Sequence, residues 1–264
     1  MAADAVAARP GPKLSALVVA HNEERELAEC LATLTFADEI VVVLDRCTDR
    51  SAEIARRFTS RIIEGAWEIE GPRRNTGIDA CAGDWILEVD ADERVSRDLA
   101  AEVRRVIAEA PFGYFLIPYD NYVGRRLVRY GWGAGWGVSA TVRLFAKGAK
   151  RWGDQRIHPS VSFSGRRMWL KERMIHHVDR DISDMLARLD RYTTARAADL
   201  RARGEVGSFP DNVRRMFSRF LKCYIGRKGY REGRYGFLIA LMAGLYPLLS
   251  HLKAREDEAG DARS

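Results

Sequence analysis

Short, almost wholly apolar runs alternate with helical patterns in the first part of the chain, and this alternation limits the fold more than any other feature. Residues 14–20, 39–44 and 85–89 have the length and composition of strands that are covered on both faces, as in a parallel sheet. Leu27 and Leu31 lie between the first two runs at helical spacing. The order of strand, helix and strand predicts an α/β fold with right-handed crossovers.

The same patterns predict the remaining elements. Further strands are expected at residues 61–63, 114–119 and 141–145, and helices at 23–35, 51–58, 75–81, 99–107, 181–203, 216–224 and 235–252. Gly83 follows the third of these helices, where a left-handed cap is expected, and Pro111 is expected to end the fourth. Residues 1–12 and 254–264 are expected to fray.

Polar side chains follow three of the predicted strands. Asn22 and Glu23 come after the first, Asp45 after the second, and Asp90 and Asp92 after the fourth. The carboxyl ends of parallel strands share one edge of the sheet, where open α/β folds bind their ligands. Two carboxylates at positions i and i+2 suit a hard divalent cation that also binds phosphate oxygens. The alternative is a solvated loop that only leads into the next helix.

The residues near this edge predict a nucleotide site. Asp45 and Asp49 have the chemistry to accept hydrogen bonds from a base N–H or a ribose hydroxyl, although Asp49 also fits the N-cap of the next helix. Arg73, Arg74 and Asn75 precede the fourth strand by one helix, where the two arginines would bring positive charge to the base or the diphosphate. A metal ion beside the diphosphate would stabilise it as a leaving group.

The second half of the chain predicts an anionic partner. The formal net charge is +6, and the basic residues concentrate after Arg125, which suits nucleic acid, anionic lipid or phosphorylated sugar. A Gly- and Trp-rich segment with Trp132 and Trp136 is interpreted as a binding loop, with a packed loop as the alternative. Four scattered cysteines and the absence of a signal peptide pattern indicate a reducing cytoplasm.

The last two predicted helices combine apolar and basic residues. An apolar stripe around Phe217 and Leu221 is interleaved with arginines, and the final helix is apolar almost all round, is interrupted by Gly244 and Pro247, and has basic flanks. Together these helices are typical of an interfacial anchor on anionic lipid. Packing against the rest of the protein or against a second subunit is the alternative.

Four motifs resemble, in their order, the family 2 glycosyltransferases with the GT-A fold. They are residues 18–24 (VVAHNEE), 43–49 (VLDRCTD), 83–85 (GDW) and 90–95 (DADERV). The later segments 143–145, 157–158, 175–177 and 190–192 resemble the bacterial lipopolysaccharide-core glucosyltransferase branch. The fold class that follows is a Rossmann-like mixed sheet flanked by helices, with C-terminal amphipathic helices added.

The resemblance implies a nucleotide-sugar donor, most often a UDP-sugar, and a divalent Mn or Mg ion. It assigns the nucleobase to Asp45, the ribose or metal to Asp90, and the metal to Asp92. His176, with His177 as the alternative, would complete the metal site. The expected donor-binding residues are Ala20, Asn22, Glu23, Asp45, Arg73, Arg74, Asn75, Asp90 and Ala91, and the expected acceptor-binding residues are Trp132, Trp136 and Arg143.

The chain departs from the family pattern at two places. Relatives often have Asp-Ser-Gly-Ser-Thr-Asp where residues 44–49 read LDRCTD, which leaves the contacts of Arg46 and Cys47 open. His158 is followed by Pro159 where the branch commonly has Glu. An inverting transfer needs a general base within reach of the acceptor hydroxyl. Asp154 is the predicted base and His158 the second candidate, while a turn after Gly153 would explain Asp154 structurally.

These observations predict a metal-dependent inverting glycosyltransferase that acts on a lipopolysaccharide-core or other lipid-linked saccharide. We expect a catalytic domain at 13–180, divided into a nucleotide-sugar half (13–110) and an acceptor half (111–180), then a membrane-associating or dimerising extension at 181–253. The enzyme is expected in the cytoplasm, on the inner face of the membrane, as a possible homodimer that binds no nucleic acid. A nucleotidyltransferase and a non-enzymatic nucleic-acid-binding module are the alternatives. A nucleotidyltransferase would need a Gly- and Arg-rich phosphate loop. In a nucleic-acid-binding module, the carboxylates at the strand ends would repel the nucleic acid.

Overall fold

The computed structural model describes residues 11–133, 136–155 and 160–261, and it divides the chain into two compact units. The first contains the residues up to 118 together with 142–174, and the second contains 119–141 and the residues from 175 onward. The predicted stretches 13–110, 111–180 and 181–253 are continuous in sequence, whereas the units interleave. Those stretches therefore stay a prediction about function.

The first unit is built on a mixed sheet. Its parallel strands are β1 (Leu14–Ala20), β2 (Glu39–Asp45), β3 (Ile62–Gly65) and β4 (Trp85–Val89), in the order β3-β2-β1-β4. Every residue of β1 and β4 is buried, which is why their sequences, apart from Ser15 and Glu88, are apolar without alternation. The predicted α/β fold is confirmed.

Among the described residues, four helices complete the first unit, and the further strands are divided between the two units. The helices are α1 (Leu27–Ala32), α2 (Ser51–Arg56), α3 (Glu70–Ala80) and α4 (Arg97–Glu109). The further strands are β5 (Glu93–Arg94), β6 (Gly113–Val123), β7 (Arg126–Val128), β8 (Ala140–Ala146), β9 (Lys150–Trp152), β10 (Val161–Phe163), β11 (Arg166–Trp169) and β12 (Met174–Asp179). Strand β8 runs antiparallel to β4. Strand β7, residues 119–123 of β6, residues 140–141 of β8 and residues 175–179 of β12 belong to the second unit.

Two local features of the first unit differ from the prediction. Gly83 does not have the left-handed backbone that its position predicted. A Cβ there would lie 2.6 Å from Ser15 Oγ and 2.7 Å from Ser15 N, so the glycine lets the chain pass close to β1. Helix α3 begins at Glu70, ahead of the predicted start at residue 75, because Pro72 lies in its first turn, where no amide donor is needed.

The second unit packs three helices around an apolar core. They are α5 (Ile182–Arg203), α6 (Phe209–Leu221) and α7 (Gly233–Asp261), with a π-helical turn (Lys222–Gly226) and a 3₁₀ turn (Gly229–Glu232) between the last two. Asp181 caps α5 by accepting the Asp184 N–H, and Gly204 ends it with a left-handed backbone (φ 65°).

Helix α7 continues through Gly244 and Pro247. The prediction that these two residues interrupt the helix is therefore wrong. In the described residues, one helical segment, residues 229–256, is long and apolar enough to cross a membrane. Half of its most apolar window is buried within the protein. A core helix of a soluble domain has the same composition, so length and composition alone do not assign this segment.

Candidate active site

The polar residues predicted to meet at one sheet edge do so within the first unit. Strand β1 pairs in parallel register with β2 (Ala20 with Leu44) and with β4 (Val18 with Val89). The segments that follow these three strands therefore leave the sheet side by side. Asn22, Asp45 and Asp90 lie on this common edge, as expected of an α/β ligand site.

Asp90 is bound by two guanidinium groups. Arg74 Nη1 lies 3.2 Å from Asp90 Oδ1, and Arg143 Nη2 contacts Asp90 Oδ2 closely. Burial favours the neutral acid, but Arg143 and Arg74 together hold the pKa of Asp90 well below its usual range. Asp90 is thus a carboxylate at any physiological pH, and it is partly exposed.

Glu93 is a buried structural acid of this edge. It lies in strand β5 with only 1% of its surface exposed, accepts the Asp90 N–H through Oε2 (3.0 Å), and pairs with Arg143 through Oε1 (2.6 Å). Helix α4 is capped by Ser96, so Glu93 does not form the start of that helix. Glu93 fixes both Arg143 and the Asp90 main chain.

A buried ion network below the edge was not predicted. Glu88, with no exposed surface, pairs with Lys150 Nζ at 2.5 Å and with Arg74. Burial opposes its charge, yet Lys150 and Arg74 lower the pKa of Glu88 to about 2. The sequence did carry a signal, since a lone carboxylate within an otherwise apolar strand requires a buried cationic partner. The sequence does not say that Lys150 is that partner.

Asp45 is almost fully buried and accepts four hydrogen bonds. Arg46 donates through Nε (2.9 Å) and Nη2 (3.1 Å), Arg73 through Nη1 (2.9 Å), and Trp67 through its backbone N–H (3.1 Å). Burial opposes its charge, but these bonds hold the pKa of Asp45 below its usual range. Arg46 itself has a left-handed backbone (φ 48°) and a side chain that is 54% exposed.

The loops after β1 and β2 are joined to each other. Asn22, which also has a left-handed backbone (φ 57°), accepts the Thr48 N–H through its side-chain oxygen (2.8 Å). Asp49 accepts the N–H groups of Ser51 (3.0 Å) and Glu24 (2.9 Å). Asp49 therefore stabilises the start of α2 and the neighbouring loop, in agreement with its structural interpretation.

The other predicted donor-binding residues differ in exposure. Ala20 and Ala91 are buried and can offer only backbone atoms. Asn75 uses both ends of its amide on the backbone of Trp152, donating to the carbonyl (2.8 Å) and accepting from the N–H (3.1 Å). Asn75 thus joins α3 to β9, and Arg73 and Arg74 are the side chains of this trio that reach the acidic edge.

The carboxylates of this edge offer oxygen atoms, the ligand type that a hard divalent cation prefers. Burial, followed by the charges of Asp92, Glu26, Asp49 and Asp90, raises the pKa of Glu23 to about 7. The carboxylate charges thus add to the effect of burial at Glu23. Within the described residues no three His, Cys, Asp or Glu side chains form a complete ligand set. An ion held by Asp90 and Asp92 would need water or phosphate oxygens as well, as Mg²⁺ sites commonly do.

The second unit places the remaining predicted residues differently. Trp132 and Trp136 are 2% and 0% exposed and belong to the apolar core, where Arg188 lies 4.0 Å above the Trp136 ring. This matches the packed-loop alternative, so neither indole faces an acceptor here. His176 Nδ1 lies 2.8 Å from Asn121 Oδ1, and its metal role stays a prediction.

The two candidate bases and Arg143 complete the predicted set. Asp154 is exposed in the loop after β9, and His158 lies outside the described residues. Arg143 is 7% exposed, with Asp90 and Glu93 as its partners. In the described arrangement it therefore orders the acidic edge and does not face an acceptor.

Comparison with known proteins agrees with this arrangement. The sequence profile of Glycosyl transferase family 2 matches residues 15–174. The lipopolysaccharide core biosynthesis glycosyltransferase LpsC of Rhizobium meliloti is 24% identical over 271 residues, covering 96% of this chain and 96% of that protein.

Two solved structures are also similar. Residues 1–349 of TarS from S. aureus align with 14% identity and a TM-score of 0.48, over 95% of this chain and 91% of that one. Glucosyl-3-phosphoglycerate synthase from Mycobacterium tuberculosis, solved with Mn²⁺, UDP and glucosyl-3-phosphoglycerate, aligns with 18% identity and a TM-score of 0.36, over 44% of this chain and 46% of that one.

Proposed function

The chain belongs to the family 2 glycosyltransferases, and we propose that it moves a sugar from a nucleoside diphosphate sugar, in the first instance a UDP-sugar, onto a lipopolysaccharide-core or other lipid-linked saccharide. The observation that carries this proposal is the acidic edge after β1, β2 and β4, where Arg73 pairs with Asp45 and Arg74 pairs with Asp90. Carboxylates for a cation and guanidiniums for phosphate are the two charge types that a nucleoside diphosphate requires. The relation to LpsC supports the acceptor class.

Asp90 and Asp92 would hold a Mn²⁺ or Mg²⁺ ion, which would act as a Lewis acid toward the leaving diphosphate. Asp45 is proposed to accept the nucleobase N–H once the exposed Arg46 side chain moves aside, since Arg46 is the one exposed donor among its partners. Arg73, which Asp45 orients, would then lie beside the nucleotide.

The acceptor hydroxyl must lose its proton as its oxygen attacks the anomeric carbon. Asp154 is the proposed base, because its exposed position after β9 leaves the carboxylate open to a saccharide. His158 remains the second candidate, and His176 the proposed additional metal ligand.

Membrane attachment is proposed for the surface formed by α6, the π-helical turn and the start of α7. Phe217, Ile225 and Phe237 are 58%, 59% and 49% exposed on this surface. An apolar groove of about 310 Å³ lies between α6 and α7. Arg214 and Arg215 are exposed on α6, just before the groove residues Met216 and Phe217. Exposed aromatic residues with adjacent arginines suit an anionic bilayer, which would place the enzyme on the cytoplasmic face of the membrane.

The donor assignment is tested by thermal unfolding of the full chain with a panel of nucleotide sugars, with and without Mn²⁺. A ligand that binds only the native state raises the unfolding temperature. We expect a Mn²⁺-dependent rise with one UDP-sugar, and its loss in Asp92→Asn. Asp79→Asn is the matched control, because that carboxylate is exposed and paired only with Arg151 in a surface salt bridge.

The reaction is tested by its products. Transfer of labelled sugar to truncated-core lipopolysaccharide with release of UDP is the expected result, whereas Asp154→Asn should keep the donor-induced stabilisation and stop transfer. Release of pyrophosphate from UTP and a sugar phosphate would instead identify a nucleotidyltransferase. Full Mn²⁺-dependent transfer by Asp92→Asn would refute the proposed site.

A further inference from the structure

The second unit contains a cleft of about 730 Å³ that none of the roles above uses. One wall is the turn between β6 and β7, a second is the start of α5, and Tyr235 of α7 forms part of a third. Three guanidinium groups, from Arg125, Arg126 and Arg180, line the cleft together with a single carboxylate, Asp181. The lining is therefore positively charged.

Two of these arginines have no carboxylate partner. Arg125 is exposed at the tip of the turn, and in the described part of the chain it forms no hydrogen bond or ion pair. Arg126 lies 5.0 Å from the centre of the Tyr235 ring and donates weakly to the Glu232 carbonyl (3.3 Å). Arg180, in contrast, is paired with Asp184. Arg125 and Arg126 are thus available to an external anion.

The start of α5 adds unpaired donors to the same wall. The capping side chain of Asp181 accepts the Asp184 N–H (2.8 Å), which leaves the N–H groups of Ile182 and Ser183 without a described backbone or side-chain partner. First-turn amides of a helix favour negative charge. Asp181 and Asp184 oppose this attraction in part, so the two unpaired arginines are needed to make the site attractive to an anion.

The cleft is held in shape by a close backbone contact. Val123 pairs with Arg126 across a two-residue turn in which Gly124 has a left-handed backbone (φ 56°). The Gly124 N–H donates to the Asp179 carbonyl (2.7 Å), and a Cβ at Gly124 would lie 2.7 Å from the Arg180 carbonyl oxygen. The turn that presents Arg125 is therefore fixed against the segment leading into α5.

We propose that this cleft binds a phosphate group of the anionic acceptor, an inference that rests on the proposed function for its biological ligand. A planar guanidinium can donate two parallel hydrogen bonds to two oxygens of one phosphate. The aromatic ring of Tyr235 and the apolar side chains of Val123 and Ile182 provide a surface for the sugar that carries the phosphate. A volume of this size suits a phosphorylated saccharide residue.

The direct test is isothermal titration calorimetry of the full chain with glucose 6-phosphate. Glucose is the neutral counterpart in a parallel titration. We expect Arg125→Gln/Arg126→Gln to weaken glucose 6-phosphate binding at least tenfold. Arg166→Gln/Arg167→Gln removes the same charge from exposed positions on β11, outside the cleft, and should leave that affinity unchanged. Equal affinities for glucose and glucose 6-phosphate, or equal binding by the two double variants, would overturn the proposal.

Vesicles distinguish the two sources of a phosphate group. If Arg125→Gln/Arg126→Gln loses binding to phosphatidylglycerol vesicles but keeps glucose 6-phosphate, the cleft takes a lipid headgroup and the proposal is overturned. Loss of glucose 6-phosphate binding with vesicle binding retained supports a saccharide phosphate. Stabilisation by UDP-sugar and Mn²⁺, measured in the same variants, reports separately on the proposed function. Retained donor stabilisation with no phosphate binding would reject the cleft alone.

Discussion

Arg143 is the side chain on which the geometry of the acidic edge most depends. Its guanidinium contacts both Asp90 and Glu93, and its side chain is 9% exposed. A cation bound by Asp90 would therefore share that carboxylate with Arg143, and repulsion between the two positive charges would limit the affinity for the metal. Arg143 thus links the stability of the edge to its affinity for an ion.

We predict that Arg143→Gln lowers stability and strengthens Mn²⁺ binding. Removing one partner of a buried ion pair costs about 3 kcal/mol, while loss of the competing guanidinium should tighten Mn²⁺ binding several-fold. Urea unfolding and Mn²⁺ titration followed by electron paramagnetic resonance measure the two effects. Arg151→Gln, which breaks an exposed pair with Asp79, should change neither by much. Weaker Mn²⁺ binding in Arg143→Gln would show that the arginine supports the ion site.

A second prediction at this scale concerns the acid stability of Glu88. Its pKa is about 2 in the folded protein against an ordinary value of 4.5, so its charge stabilises the fold above pH 4.5. That contribution is lost as the pH falls from 4.5 toward 2, because the unfolded chain takes up the proton first. The stability difference between wild type and Glu88→Gln, from urea unfolding at several pH values, should shrink over this range.

Glu88→Gln also leaves Lys150 buried without its partner, so the double variant Glu88→Gln/Lys150→Met provides a version with less buried charge. It should show the same flattened pH dependence from a higher starting stability. A pH dependence identical to that of wild type in both variants would mean that another acid controls unfolding in this range.

Helix α3 carries Arg73 and Arg74 to the acidic edge, and its position depends on a glycine. A Cβ at Gly71 would lie 1.8 Å from the Gly153 carbonyl oxygen, and backbone cannot move aside as a flexible side chain can. The close contact, with the amide of Asn75 on Trp152, fixes the helix against β9. Gly71 therefore positions the arginines without touching a ligand.

We predict that Gly71→Ala destabilises the protein by about 2 kcal/mol through this overlap and weakens UDP-sugar binding because Arg73 and Arg74 are displaced. Gly226→Ala is the matched control, since its Cβ would have nothing within 4 Å and its backbone is not left-handed. Thermal unfolding with and without donor tests both effects. Normal donor binding by a destabilised Gly71→Ala variant would show that nucleotide affinity does not depend on the position of α3.

The elements that the sequence predicts well are those with one strong local cause. Strands β1 and β4 match residues 14–20 and 85–89 because every residue in them is buried. The prediction for Gly83 was wrong because its cause is the approach of Ser15, a contact distant in sequence. The long helix expected at residues 23–35 is limited to Leu27–Ala32, since hydrogen-bonded turns precede it.

At the scale of the whole molecule, the side chains that could be predicted are those at strand ends, because topology alone brings them together. The pairing of Glu88 with Lys150 joins residues far apart in the sequence, and no pattern specifies it. For Trp132 and Trp136 a pattern exists but does not discriminate, because a Gly- and Trp-rich segment is typical both of a binding loop and of a packed core. Burial of both rings decides for the core.

The exposed surface of α6 and α7 could bind a membrane in two ways, by attraction of its arginines to anionic lipid and by insertion of its apolar side chains. We predict that Arg214→Gln/Arg215→Gln weakens binding to phosphatidylglycerol vesicles at low salt and has little effect at high salt, because surface charges are screened there. Phe217→Ser/Leu221→Ser should weaken binding at both salt concentrations, since these side chains, 58% and 50% exposed, would lose apolar burial in the bilayer. Co-sedimentation with vesicles measures both.

The alternative occupant of this surface is a second copy of the chain, and the same variants distinguish the two. If Phe217→Ser/Leu221→Ser converts a dimer to a monomer in light scattering and leaves vesicle binding unchanged, the surface is a subunit interface. If the wild type is monomeric and the variant loses only vesicle binding, the surface faces lipid. We expect the second result, because Arg214 and Arg215 beside this surface would repel the same residues of a symmetric partner but attract an anionic bilayer.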